Sequence, residues 1–223
     1  MSISEFTLEN VDVDGAIQEA AEATHGDTRA DFMRKAGLAA GGTLMAGSLF
    51  AAMPSLAGAK GKAVPKSDIA ILNYALTLEY LEAAFYAEAV AGGALTGPAL
   101  EFATQVSKDE TAHVKGLKAA LGKKAVASPT FDFQGTTKDQ AKFLATSFVL
   151  ENTGVKAYLG QAGKIKTPGI LLTAASIVTV EARHAGAVAL LTGDKISPSG
   201  PYDKGSSMKT ILKAVKGTGF ITG

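Results

Sequence analysis

Lys108-Asp-Glu-Thr-Ala-His113 and Val180-Glu-Ala-Arg-His184 are the stretches that decide how this chain folds. Each contains a Glu-x-x-His unit, Glu110…His113 and Glu181…His184, and the whole chain has three histidines. On an α-helix, residues three apart share a face about one turn apart, so each unit aims a carboxylate and an imidazole at one point. A single unit is commonplace, since a scattered Glu falls at that spacing before a given His roughly once in twenty-five. Two units, from both downstream histidines, ask for a structural explanation.

The flanking sequence supplies helices for both. Ser67 is positioned to cap a helix running to about Ala91, with Ile69, Leu72, Leu76, Leu78 and Leu81 along it. Thr96-Gly-Pro98 opens a second, ending near Leu121-Gly122, and Thr137-Lys-Asp-Gln140 has the form of a capping box opening a third that fades near Gly163. Thr167-Pro168 opens a fourth, closed by Thr192-Gly193. These signals have mechanisms: side-chain oxygens for orphan amides, proline in the first turn, glycine past the end. Period-two alternation is absent and strand propensity is low, so the fold class is all-α.

Four glutamates fall at one height in this arrangement. Glu79 lies 12 residues before Ala91 and Glu110 lies 12 after Pro98; Glu151 lies 12 before Gly163 and Glu181 lies 13 after Pro168. In two antiparallel hairpins, all four sit near mid-helix. The halves also repeat one another. Tyr86 follows Glu79 by 7 residues as Tyr158 follows Glu151, and the step from each Glu to the next Glu-x-x-His is 31 and 30 residues. The pattern is that of a duplicated helical hairpin. The connector from Lys123 to Thr136 contains Pro129 and, fully extended, spans at most roughly 46–50 Å. A helix of about 25 residues is about 37 Å long, so the connector can run the length of a four-helix bundle with up-down-down-up topology and a long crossover between helices 2 and 3.

Composition and charge narrow the rest. Residues 1–59 hold 3 basic and 8 acidic side chains, and residues 60–223 hold 19 and 13. The basic excess is dispersed lysine with no interleaved aromatic cluster, so no nucleic-acid partner is expected. With no cysteine, disulfides, thiolate metal sites and cysteine nucleophiles are excluded. Thr28-Arg-Ala-Asp-Phe-Met-Arg-Lys35, the Gly/Ala-rich apolar run from Ala36 to Leu56, and Ala57-Gly-Ala59 read as an export signal of twin-arginine type, degenerate at Ala30. The expected organisation is therefore an export segment with a polar extension (1–59), a helical bundle (60–193) and a C-terminal tail (194–223). The alternative for residues 36–58 is an uncleaved membrane anchor, the one route to a membrane partner. The tail carries a short apolar piece around Ile211, Leu212 and Val215, suited to packing on the bundle or bridging to a second copy in a homo-oligomer.

A carboxylate buried at mid-bundle costs several kcal/mol unless it is paired, hydrogen-bonded or bound to a cation. Arg183 is the one base near the layer, and its place beside His184 points it off the shared face. The segment from Gly169 to Leu191 is almost wholly apolar, its only ionisable residues being Glu181, Arg183 and His184; alone it resembles a membrane span, in which a central Glu and His are expensive unless functional. Two divalent cations resolve the conflict, and oxygen-rich ligands with imidazoles favour two iron ions or, alternatively, two manganese ions.

One Glu from each of two helices plus a Glu-x-x-His from each of the other two resembles the ferritin-like superfamily of dinuclear carboxylate bundles, over residues 67–192. By that resemblance the metal ligands are Glu79, Glu110, His113, Glu151, Glu181 and His184. Glu79 and Glu151 are terminal, and Glu110 and Glu181 bridging. Glu82, one turn from Glu79, is the second choice. Tyr86 and Tyr158 match tyrosines that follow the terminal glutamates in relatives, with ordinary helix packing as the alternative. Asp109 matches a residue that supports a ligand histidine from behind, a support the other half lacks at Val180. The leader joined to a lone bundle is similar to an exported ferritin-like family that includes plant desiccation-related proteins, implying a periplasmic or extracellular location. The resemblance implies metal ions and O2 or peroxide as partners, in ferroxidase-, peroxidase- or catalase-like chemistry. A non-catalytic metal-binding or structural stress-protection role is the alternative.

Overall fold

Proline and glycine set the helix ends where the sequence places them. The computed structural model describes residues 64–223; the expected export segment, residues 1–59, lies outside the described residues. Four long helices follow in order: α1 (Lys66–Ala91), α2 (Gly97–Leu121), α3 (Gln140–Ala162) and α4 (Pro168–Thr192), then a shorter α5 (Met208–Thr218). Pro98 and Pro168 stand in the first turns of α2 and α4. Gly193 closes α4 at φ 77, left-handed backbone that a residue without Cβ adopts at no steric cost.

Two caps differ from expectation. Ser67 does not cap α1; Pro65 precedes the helix in extended backbone, and the Ser67 hydroxyl donates to Asp68. Asp68 in turn accepts the amides of Lys166 and Thr167 at the start of α4, at 3.2 and 2.9 Å, which ties the two helix starts together. The third helix is capped not by Thr137 but by Asp139, whose carboxylate accepts the Lys142 amide at 2.8 Å. Thr137 lies in a 3₁₀ turn (Thr136–Lys138) and donates its hydroxyl to Glu88.

Cross-bundle contacts give the topology. Tyr86 of α1 reaches Glu151 of α3 while Tyr158 of α3 reaches Glu79 of α1, so residue numbers rise in one as they fall in the other. The same inverse register joins α2 and α4 through His113 with Glu181 and His184 with Glu110. Helices α1 and α4 start at the same end, as the Asp68 latch shows. The order is therefore up-down-down-up. The crossover runs alongside α1: Asn73 exchanges hydrogen bonds with Lys124 and Val126 at 2.9 Å, Tyr80 donates to Val126, and Phe133 packs edge-on to Phe85 at 5.3 Å.

The core divides into two apolar clusters. Leu81, Phe85, Phe143 and Val106 fill the end where α1 finishes, and Leu72, Leu76, Leu117 and Ile177 fill the end where it begins. The tail packs on the bundle of its own chain, one of the two arrangements its sequence suits. Ile211, Val215 and Phe220 are buried in the first cluster, and Phe131 of the crossover forms an isolated antiparallel β-bridge with Ile221. Tail and α3 meet at two glycines, Gly205 against Gly160, where the Ser206 amide donates to the Lys156 carbonyl at 2.9 Å.

Candidate metal centre

Mid-length of the bundle, five glutamates and two histidines face one another. Glu79, Glu110, Glu151 and Glu181 have no solvent exposure, and Glu82, His113 and His184 are nearly as buried. Arg183 is exposed, as its position beside His184 implies. Helix α4 is long and apolar enough to cross a membrane, yet its Glu181 and His184 are turned into this layer. Glu88 and Glu101 lie at the surface, as expected of positions near helix ends.

Nδ1 of His113 lies 3.1 Å from Glu79, 3.1 Å from Glu110 and 3.3 Å from Glu181. Nδ1 of His184 lies 3.1 Å from Glu110 and 3.3 Å from Glu151. The potential ligand atoms sort into two sets, each within 4.8 Å of one another: Glu79, Glu110, His113, Glu181, and Glu110, Glu151, Glu181, His184. Glu110 and Glu181 belong to both. The structure thus brings all six sequence-identified ligand candidates together, and Glu82 lies beside them without joining either set.

The surroundings hold these groups in place. Tyr158 donates its hydroxyl to Glu79, and Tyr86 donates to Glu151. Each tyrosine therefore donates to a glutamate of the other half of the repeat, a hydrogen bond in addition to its packing. Nε2–H of His184 donates to Asp109 at 3.2 Å, leaving Nδ1 turned toward the carboxylates. The corresponding position in the other half is Val180, so His113 gains no such partner and the support is one-sided.

The electrostatics are those of carboxylates crowded out of water. Burial, and then the charges of Glu110 and Glu79, raise Glu181 well above the usual carboxylate range. Burial and the charges of Glu181, Glu151, Glu110 and Glu79 do the same to Glu82. Glu110 is pushed up to about 7 by burial and by Glu79, against the pull of both histidines. Burial alone would raise Glu79, but His113 holds it below its ordinary value. Burial would lower the histidines, yet their carboxylate partners raise His113 far above its ordinary range and His184 to about 11.

Hydrogen bonds do not satisfy this layer. Glu110 Oε1, Glu151 Oε2, both oxygens of Glu181 and Nδ1 of His184 are buried without an aligned hydrogen bond, although His184 Nδ1 lies within ion-pair distance of Glu110 and Glu151 and Glu181 Oε1 within that of His113. Five carboxylates face two imidazoles, and the unsatisfied atoms all belong to residues of the second set, two of which it shares with the first. Two divalent cations would bring four positive charges and a ligand bond for each orphaned atom, so this donor set fits such a pair.

A family model described as a ferritin-like domain matches residues 67–194, more than half of the chain. The chain belongs to the ferritin-like family. The ferritin-like domain covers all four long helices and every residue of the layer, while α5 and the end of the tail lie beyond it. A comparison with curated proteins found no match.

Sequence reasoning missed Gly154, in the layer on α3. A Cβ there would stand 2.7 Å from Glu181 Oε2. The available signal was a glycine inside a helix, at the position corresponding to Glu82 in the repeat.

Proposed function

We propose that this ferritin-like domain holds a dinuclear iron or manganese centre and carries out redox chemistry with O2 or peroxide, in an exported protein. The observation that supports it best is the pair of four-residue sets sharing Glu110 and Glu181, because two neighbouring cations would both draw on those shared carboxylates. In this reading Glu79 and His113 complete one position, and Glu151 and His184 the other. Bound iron or manganese would supply one-electron redox chemistry at this layer.

The chain's own residues prepare the site. Tyr158 and Tyr86 fix the terminal carboxylates, and Asp109 orients His184 with its Nδ1 inward. The apolar clusters above and below the layer exclude bulk water, which strengthens every electrostatic interaction inside. Export rests on the leader-like pattern of residues 28–59, since twin-arginine routes move folded, cofactor-loaded proteins.

Rates on protein loaded with each metal test the proposal. Aerobic iron(II) oxidation above that of a Glu110→Ala control supports ferroxidase chemistry. Peroxide consumption by the manganese-loaded form supports catalase-like chemistry. Loaded protein inert in both assays contradicts the redox reading and leaves metal binding without catalysis.

A further inference from the structure

Glycine is a poor residue for a helix interior, yet Gly154 stands mid-length in α3 with no positive φ to require it. It falls three residues after Glu151, as Glu82 falls three after Glu79, so the repeat sets a glutamate against a glycine at corresponding places. The two positions meet across the bundle. A Cβ on residue 154 would lie 2.7 Å from Oε2 of Glu181, 3.5 Å from its Cδ and 3.5 Å from Oε1 of Glu82. These nearest atoms all belong to the ends of carboxylate side chains, not to backbone.

We infer that Gly154 is a positioning residue for the metal centre: its bare Cα is the slot in which the Glu181 and Glu82 carboxylates lie, and a side chain there displaces Glu181. This rests on the proposed dinuclear site. Glu181 belongs to both ligand sets, so its displacement is felt at both positions. The same slot explains why the repeat is asymmetric here. A side chain at 154 would compete with Glu82 for the volume beside Glu181, so the fifth carboxylate is present in one half only because the other half has none.

Substitution of Gly154 should separate stability from binding, which loss of a glycine kept only for packing would not do. In the Gly154→Ala variant, helix propensity improves, and the clash falls on a flexible carboxylate that the metal-free protein can move. Metal-free Gly154→Ala is therefore expected to melt at or above the wild-type temperature. In calorimetric titration with manganese(II), or with iron(II) under anaerobic conditions, it is expected to bind at least about tenfold more weakly, or with lower stoichiometry. Adding Glu82→Ala to Gly154→Ala frees the volume beside Glu181, so that a small pivot clears the new methyl while its carboxylate stays in the layer, and is expected to restore part of the affinity. Wild-type affinity in Gly154→Ala would overturn the inference, as would a metal-free melt well below wild type or a double variant with no recovery. Wild-type protein that takes up neither metal would refute the dinuclear reading itself, a result distinguishable from the failure of Gly154 alone.

Discussion

Replacing Tyr158 by phenylalanine removes one oxygen atom and tests whether the tyrosines serve the layer or only fill space. The Tyr158 hydroxyl is the donor to Oε1 of Glu79, a carboxylate with no solvent exposure whose other oxygen is 3.1 Å from His113. Without the hydroxyl, Oε1 loses its donor and water cannot reach it. A hydrogen bond to a charged group contributes about 1.5–3 kcal/mol. In a domain of this size each kcal/mol moves the melting temperature by about 2–4 °C. Metal-free Tyr158→Phe should therefore melt roughly 3–12 °C below wild type in circular dichroism at pH 7. Its metal affinity should fall roughly 10–100-fold, the usual cost of losing a group that orients a ligand. Tyr74→Phe is the internal control, because the Tyr74 hydroxyl is buried with no hydrogen-bond partner. Removing it should leave the melt unchanged or raise it. If the two variants melt together, at or above wild type, the hydroxyl of Tyr158 does not hold Glu79 and the argument is refuted.

Other predictions follow from the same geometry. Glu110→Ala, which deletes a member of both ligand sets, should stay helical by circular dichroism and lose both metals; retention of full metal content would contradict the assignment. Metal affinity should rise between about pH 6 and 8, roughly tenfold per pH unit for each proton displaced, because His113 and His184 are held protonated and must lose a proton to bind; calorimetry in buffers of different ionisation enthalpy counts those protons, and zero release would contradict the reading. The metal-free protein should show the opposite trend in stability. Glu110, raised from 4.5 to about 7, contributes stability fully present below 4.5 and lost as pH rises through about 7, and His184 contributes stability present below 6.5 and lost through about 11. Its melting temperature should accordingly fall from pH 5 to pH 8. Gly160→Ala places a Cβ on the Ser206 carbonyl, so the tail should detach from α3 and become sensitive to limited proteolysis; an unchanged digestion pattern would contradict the packing seen at Gly205.

The helix ends and the height of the layer were legible because both are local or arithmetic. Pro98, Pro168 and Gly193 act on the residues beside them, and equal spacing from helix ends puts Glu79, Glu110, Glu151 and Glu181 at one level in any antiparallel bundle. What escaped depends on contacts far apart in sequence. Nothing in the Glu-to-Tyr spacing says that Tyr86 serves Glu151 and Tyr158 serves Glu79, since that crossing follows from the antiparallel register of α1 and α3. The cap of α3 went to Asp139 rather than Thr137, because the Thr137 hydroxyl found Glu88 in α1, 49 residues away. Gly154 reads as a weak point of a helix until the Glu181 carboxylate is seen against it. The packing of the tail on its own bundle, with Ile211, Val215 and Phe220 buried against aromatics of α1 and the crossover, likewise depends on residues far away in sequence.

Metal content tests the central claim most directly: mass spectrometry on protein purified without chelator, then offered iron(II) or manganese(II), with Glu110→Ala alongside. The account predicts about two ions of iron or manganese per wild-type chain, consistent with the two four-residue sets, and none in the variant. A wild-type chain that remains folded and metal-free after both ions have been offered would contradict it.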